Sequence, residues 1–147
     1  MQIKKLNVSG EGLNRFFGPL EAKIMAILWS SDGLRIKEVQ SILNQESPIS
    51  VNAVMTVMNR LESKGHLTKV QTGTGRTQAA QFSTVQSREQ FLSEQTKAVS
   101  QGLIQDYGSL VVSHMIDALD DVDQETIAKL ERKLNEIKRG KKNASSD

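Results

Sequence analysis

Cysteine is absent from the 147-residue chain, which excludes structural disulfides, thiolate metal sites and cysteine nucleophiles. Aromatic residues make up only 4% of the sequence, with a single Trp and a single Tyr, and hydrophobic residues only 37%. A compact core is attainable at that level. The polar-rich helices towards the C-terminal end are expected to bury their apolar stripes against a second chain. No apolar run approaches the roughly 20 residues of a membrane span, and MQIKKLNVSGEG at the start lacks the hydrophobic stretch of a secretory signal. A soluble cytoplasmic protein with no membrane partner is the expectation. The chain also lacks a recognisable Ser/His/Asp or paired-carboxylate arrangement and a Gly-rich phosphate loop after a strand, so an enzyme is not expected. No cofactor or metal is expected either: His66 and His114 stand in different segments without partners at ligand spacing. The cluster Asp120, Asp121, Asp123 and Glu125 lacks the alternation and central Gly of a calcium loop, and reads as helix capping.

Net charge is +2, too little to identify a partner, but its distribution is uneven. Residues 1–47 sum to +1, residues 48–86 to +3 and residues 87–147 to −2. The positive excess therefore sits in the middle of the chain.

What is present divides into four parts. Residues 1–17 read as a flexible arm that only Leu13, Phe16 and Phe17 are able to anchor. A first helix opens at Gly18-Pro19, where proline at the first helical position sacrifices no hydrogen bond, and Leu20, Ile24, Ile27 and Leu28 form its stripe. Ser30-Ser31-Asp32-Gly33 ends it, and Leu34-Arg35-Ile36 suits a short strand. A second helix turns Ile36, Val39, Ile42 and Leu43 inward, and Asn44 to Pro48 forms a turn. Ser50 is the best N-cap for a third helix whose buried stripe is Val54, Val57, Met58 and Leu61 and whose stop is Gly65. Strands are expected from Leu67 to Val70 and from Gln78 to Thr84, joined by a tip of Gly73, Thr74, Gly75, Arg76 and Thr77. Ser87 and Gln90 form a capping box. The helix they open is expected to reach about Ser100 and to break at Gly102, after which Leu103, Tyr107, Leu110, Val111 and Met115 resume an apolar stripe. Asp120 to Asp123 marks a further helix start, followed by a heptad-like seam of Ile127, Leu130, Leu134 and Ile137. The basic run Lys138-Arg139-Gly140-Lys141-Lys142 reads as a disordered, solubilising tail, the alternative being that it adds non-specific DNA affinity.

This pattern predicts a mainly α fold with a small β wing: a winged helix-turn-helix domain at residues 18–86, a helical dimerisation domain at 87–138 and a disordered tail at 139–147. In such a domain the third helix reads DNA. Its outer face carries Asn52, Thr56, Asn59 and Arg60, types that hydrogen-bond base edges and phosphates, with few acids. Met55 on that face fits either a thymine methyl or the edge of the core. Ser50 and Lys64 complete the expected DNA-binding set on the helix, and Arg76 at the wing tip is expected to meet phosphate or minor groove. Lys37, Lys64 and Lys69 are phosphate candidates, although a solvated surface is the commoner explanation for each taken singly. Leu103, Tyr107, Leu110, Val111, Met115, Ile127, Leu130, Leu134 and Ile137 are the expected dimer interface, although the stripe around Tyr107 also suits a small-ligand pocket.

Four stretches in order resemble the penicillinase-repressor family of bacterial winged-helix repressors. They are Gly18-Pro19-Leu20-Glu21-Ala22 through Met25 and Trp29; Val54-Met55-Thr56 with Arg60-Leu61 and Lys64-Gly65; Gly75-Arg76 in the wing; and Ser87-Arg88-Glu89-Gln90-Phe91. The resemblance runs from about Gly18 to Ile137. It implies a homodimeric repressor that binds palindromic operators in double-stranded DNA. Departures from the family pattern are Ala53 in place of Thr, Thr84 in place of Pro and a wing about two residues longer. The copper-responsive branch relies on cysteines absent here. The β-lactam-responsive branch is cut at an Asn-Phe bond by a membrane sensor-protease, and no Asn-Phe pair exists in this chain, so a sensor-protease partner stays open and repression is better supported than any particular signal. Two other readings remain open: a small-molecule-responsive winged-helix regulator, and a winged-helix protein–protein adaptor, which would want an apolar or acidic third helix.

Overall fold

The computed structural model describes residues 6–8, 10–73, 75 and 79–145. The chain divides into two compact units, residues 1–100 and 101–147.

In the first unit α1 (Pro19–Trp29) begins at Pro19, as the sequence predicts, and buries Ala22, Ile24, Met25 and Leu28. Leu20 and Ile27, expected on its inner stripe, are only partly buried at the edge of the core. Strand β1 (Leu34–Arg35) leads directly into α2 (Ile36–Asn44). The Glu38 carboxylate accepts the Arg35 N–H at 2.9 Å and ties down the start of α2. Helix α3 (Val51–Ser63) follows, then β2 (Leu67–Thr72) and β3 (Ala79–Thr84). The strands form an antiparallel sheet in the order β1-β3-β2, with Leu34 opposite Phe82 and Leu67 opposite Thr84. Three helices with a β ribbon make this unit a winged helix. Its core unites Val39 and Leu43 of α2, Val54, Met58 and Leu61 of α3, and Leu67 and Phe82 of the ribbon with the inner face of α1.

Helix α4 (Arg88–Tyr107) opens with the expected capping box: the Gln90 N–H donates to Ser87 Oγ and the Ser87 N–H to Gln90 Oε1. Its first half belongs to the first unit, because Phe91 and Gln95 are buried there. A boundary at residues 86/87 would therefore cut through a core. Phe91 stacks on Phe17 at 5.1 Å and meets Trp29 at 5.5 Å and Phe16 at 6.0 Å. Leu13, Phe16 and Phe17 anchor the segment before α1, as the sequence allows, so its described part is tied to the core, while residues 1–5 and 9 lie outside the described residues. Phe17 is buried in the core, Gly12–Arg15 forms a 3-10 turn, and the Asn7 N–H donates to the Arg15 carbonyl at 2.7 Å. The indole N–H of Trp29 donates to the Gln86 carbonyl at 3.0 Å, fastening α1 to the segment before α4.

Three further expectations are corrected. Ile42 is 40% exposed rather than inward, since it lines an open groove with Ala26, Ile27 and Leu43 whose rim is the Lys23–Glu46 ion pair. Gly102 does not break α4. A lone glycine in a helix costs about 1 kcal/mol without forcing a bend, and the break falls at Gly108, whose φ of 44° is left-handed. The tail expected to be disordered from residue 139 is helical to Ser145, because Lys, Arg and Ala are good helix formers and outweigh Gly140 and Asn143. Residues 146 and 147 lie outside the described residues.

The second unit holds the end of α4, α5 (Ser109–Asp117), a 3-10 turn at Ala118–Asp121 and α6 (Gln124–Ser145). Asp123 Oδ1 accepts the Thr126 N–H at 2.8 Å, the capping role predicted for the acidic cluster. Among the described residues of this unit none is buried. Among all described residues, no helix is long and apolar enough to cross a membrane.

Candidate nucleic-acid interface

The turn between α2 and α3 is set by side chains of α2. Asn44 Oδ1 accepts the Ile49 N–H at 2.8 Å, and Gln40 Nε2 donates to the Ile49 carbonyl at 3.0 Å. Both backbone groups of Ile49 are thus satisfied, which fixes the chain direction as it enters α3. Ser50 then caps the helix, its Oγ accepting the Ala53 N–H at 3.1 Å. At the far end the Gly65 N–H bonds to the Glu62 carbonyl at 3.0 Å and the His66 N–H to the Leu61 carbonyl at 2.9 Å. Gly65 supplies the φ of 86° that this ending requires. Both ends of α3 are therefore pinned.

With Val54, Met58 and Leu61 facing the core, the opposite side of α3 is turned to solvent. Asn52, Thr56 and Ser63 are exposed along it, Asn59 is half-buried, and exposed Arg60 and Met55 (38% exposed) flank the row. The Thr56 hydroxyl donates to the Asn52 carbonyl at 2.8 Å, which leaves its lone pairs outward as acceptors. Ser63 was absent from the expected set, yet it continues the row of Asn52, Thr56 and Asn59 at helical spacing. The same periodicity that selected those residues was the signal for it.

Lys64 is exposed but not free: its ammonium lies 3.5 Å from Glu21 of α1, a carboxylate with only 16% of its side chain exposed. Lys69 on β2 holds its ammonium 5.6 Å from the Phe82 ring centroid, within the range of a cation–π contact. Lys37 is exposed. Arg76 lies outside the described residues.

His66 is buried against Phe17 at 5.2 Å and Phe91 at 5.8 Å, as the reading of a structural histidine expects. Burial holds its pKa below 6.5, the Lys64 charge adds to this, and Glu21 opposes it. Among the described residues no group of three or more His, Cys, Asp and Glu is arranged to hold a metal ion.

The expected dimer residues of the second unit stand open in the single chain. Tyr107 is 60% and Leu110 64% exposed, Met115, Leu130, Leu134 and Ile137 are also exposed, and Leu103, Val111 and Ile127 are half-buried.

The sequence profile named penicillinase repressor matches residues 17–136. No curated protein matches the chain. Among solved structures, a PadR-like transcription factor from Bacteroides fragilis is similar at 20% identity and a TM-score of 0.45, covering 67% of this chain and 90% of its own. PadR of Bacillus subtilis in complex with operator DNA is similar at 14% identity and a TM-score of 0.43, covering 84% and 76%. A MarR family protein from Bacillus stearothermophilus is similar at 14% identity and a TM-score of 0.42, covering 88% and 78%.

Proposed function

Since the chain belongs to the penicillinase repressor family, we propose that it represses transcription as a homodimer whose α3 helices read a palindromic operator in duplex DNA. The observation that carries the reading is the solvent face of α3: a row of amide and hydroxyl groups flanked by Arg60, on a helix pinned at both ends. Amides and hydroxyls are the groups that match base edges in a major groove, and a rigid helix enters that groove without losing its own freedom. An adaptor surface would instead present apolar or acidic residues there.

Dimerisation is supported by the second unit. Its apolar residues are exposed or only half-buried in the single chain, and such surface is expected to be buried by association. An isologous contact between two copies relates the two α3 helices by a two-fold axis, so each reads one half-site. The cytoplasm is where such a protein meets its operator.

Selection from random duplex DNA tests the proposal together with sedimentation equilibrium. The expected result is an inverted repeat whose half-sites lie about one helical turn, roughly 34–36 Å, or a multiple of it apart, bound by a dimer at micromolar concentration. A monomer, or an asymmetric site, would overturn the dimeric reading. No enrichment at all would overturn DNA recognition.

A further inference from the structure

We propose that the basic end of α6, at residues 138–142, is a second DNA contact that grips the phosphate backbone beside the operator. The inference rests on the DNA-binding reading above and adds to it an element remote in sequence from α3.

Ile127, Leu130, Leu134 and Ile137 repeat along α6, and the next position of that stripe is Lys141. An ammonium there ends the apolar stripe, so any helix pairing along it ends near Ile137. The helix itself continues to Ser145. Its last part carries Lys138, Arg139, Lys141 and Lys142 and no acid. Lys138, Arg139 and Lys141 are exposed, and neither ion pair among the described residues involves α6.

Favourable interaction with the helix dipole accounts for cations in the last turn only, whereas Lys138 and Arg139 stand more than a turn before Ser145. The charge spacing suits a polyanion of comparable density. At a rise of about 1.5 Å per residue, positions 138 to 142 span roughly 6 Å of axis, so their four positive charges stand about 2 Å apart on average. Duplex DNA carries about one negative charge per 1.7 Å. An anionic membrane surface is the weaker partner, because a helix that lies on lipid needs a large apolar face beside its cations, and residues 138–145 offer only Ala144. At about 100° per residue, positions 138, 139, 141 and 142 fall on one side of the helix, within an arc of about 160°. That arrangement suits a phosphate backbone and carries no base information.

The test compares the full chain with a variant in which Lys138, Arg139, Lys141 and Lys142 are all replaced by Gln, and with a second in which the three lysines are replaced by Arg. Binding is measured against salt on three duplexes: the selected operator trimmed to its ends, the operator with flanks, and an unrelated sequence. The Gln variant should match the wild type on the trimmed operator, and bind the flanked and unrelated duplexes several-fold more weakly. Its slope of log affinity against log salt should fall by about 0.9 for each phosphate that is no longer neutralised. The Arg variant should keep the wild-type slope. Wild-type affinity of the Gln variant on the flanked and unrelated duplexes, with an unchanged slope, would overturn this proposal alone. Failure of the wild type to bind any duplex would overturn the DNA-binding reading and this one with it. A Gln variant that loses only co-sedimentation with anionic vesicles would assign the cations to membrane and likewise overturn the proposal.

Discussion

Phe17 and Phe91 lie nearly face to face, their ring centroids 5.1 Å apart and their planes 17° from parallel. One precedes α1 and the other belongs to the first turn of α4, so the stack closes the winged helix from both ends of its sequence. Phe91→Ala removes the ring from contact with Phe16, Phe17, Trp29 and His66. Truncating a buried Phe costs about 3–5 kcal/mol, which urea denaturation of the wild type and the variant will measure. For the same reason a fragment ending at Ser100 should unfold cooperatively, while one ending at Gln86 should unfold at a clearly lower urea concentration. Equal midpoints would show that α4 contributes nothing to this unit.

Asn44 and Gln40 hold Ile49 by its backbone. Asn44→Ala should cost about 0.5–1.5 kcal/mol, the usual net worth of one hydrogen bond, and should weaken operator binding by loosening the approach to α3. The two readouts are denaturation and a mobility-shift titration. A variant that binds with wild-type affinity would show that the aim of α3 is set elsewhere.

Glu21 and Lys64 form a partly exposed ion pair, and pairs of this kind contribute at most about 1 kcal/mol. Glu21→Gln should therefore alter stability little. It should raise affinity for both operator and unrelated DNA, since it frees a cation at the end of α3 and removes an acid beside it. Fluorescence titrations on the two duplexes would reveal the gain, and reduced affinity would mean that Glu21 is needed to place Lys64.

His66 links stability to pH. Its folded pKa lies below 6.5 through burial first and the Lys64 charge second, so the unfolded chain binds the proton more readily. Stability is full above about pH 6.5 and falls on acidification until the folded pKa is passed, at no more than about 1.4 kcal/mol per pH unit. His66→Gln should flatten this dependence between pH 7.5 and 5.5, even if it lowers stability throughout. An unchanged slope would place the acid sensitivity in other groups.

Reading and gripping should separate on α3 and the wing. Asn59→Ala or Arg60→Ala should cost about 1–3 kcal/mol on the operator and relax one position of the site. Arg76→Ala should weaken all sequences alike and lower the salt slope by about one. Filter binding on matched and mismatched operators distinguishes the two patterns, and silence of all three variants would reject the docking mode.

The sequence by itself determined α1, α2, α3 and the opening of α4, because their signals are local. Pro19, Ser50, Gly65 and the Ser87–Gln90 pair act within one turn of their own backbone, and the outer face of α3 follows from helical spacing alone. Tertiary structure decided everything that depends on partners distant in the chain. It drew Phe17 and Phe91 into one aromatic cluster, although they stand far apart in the sequence. It left Ile42 exposed on the rim of a groove, since periodicity gives the direction of a side chain and not whether another element covers it. It paired Lys64 with Glu21. The break in the C-terminal helices moved from Gly102 to Gly108 for a related reason. Glycine permits a left-handed φ at either position, and composition cannot say at which one the surrounding helices require it.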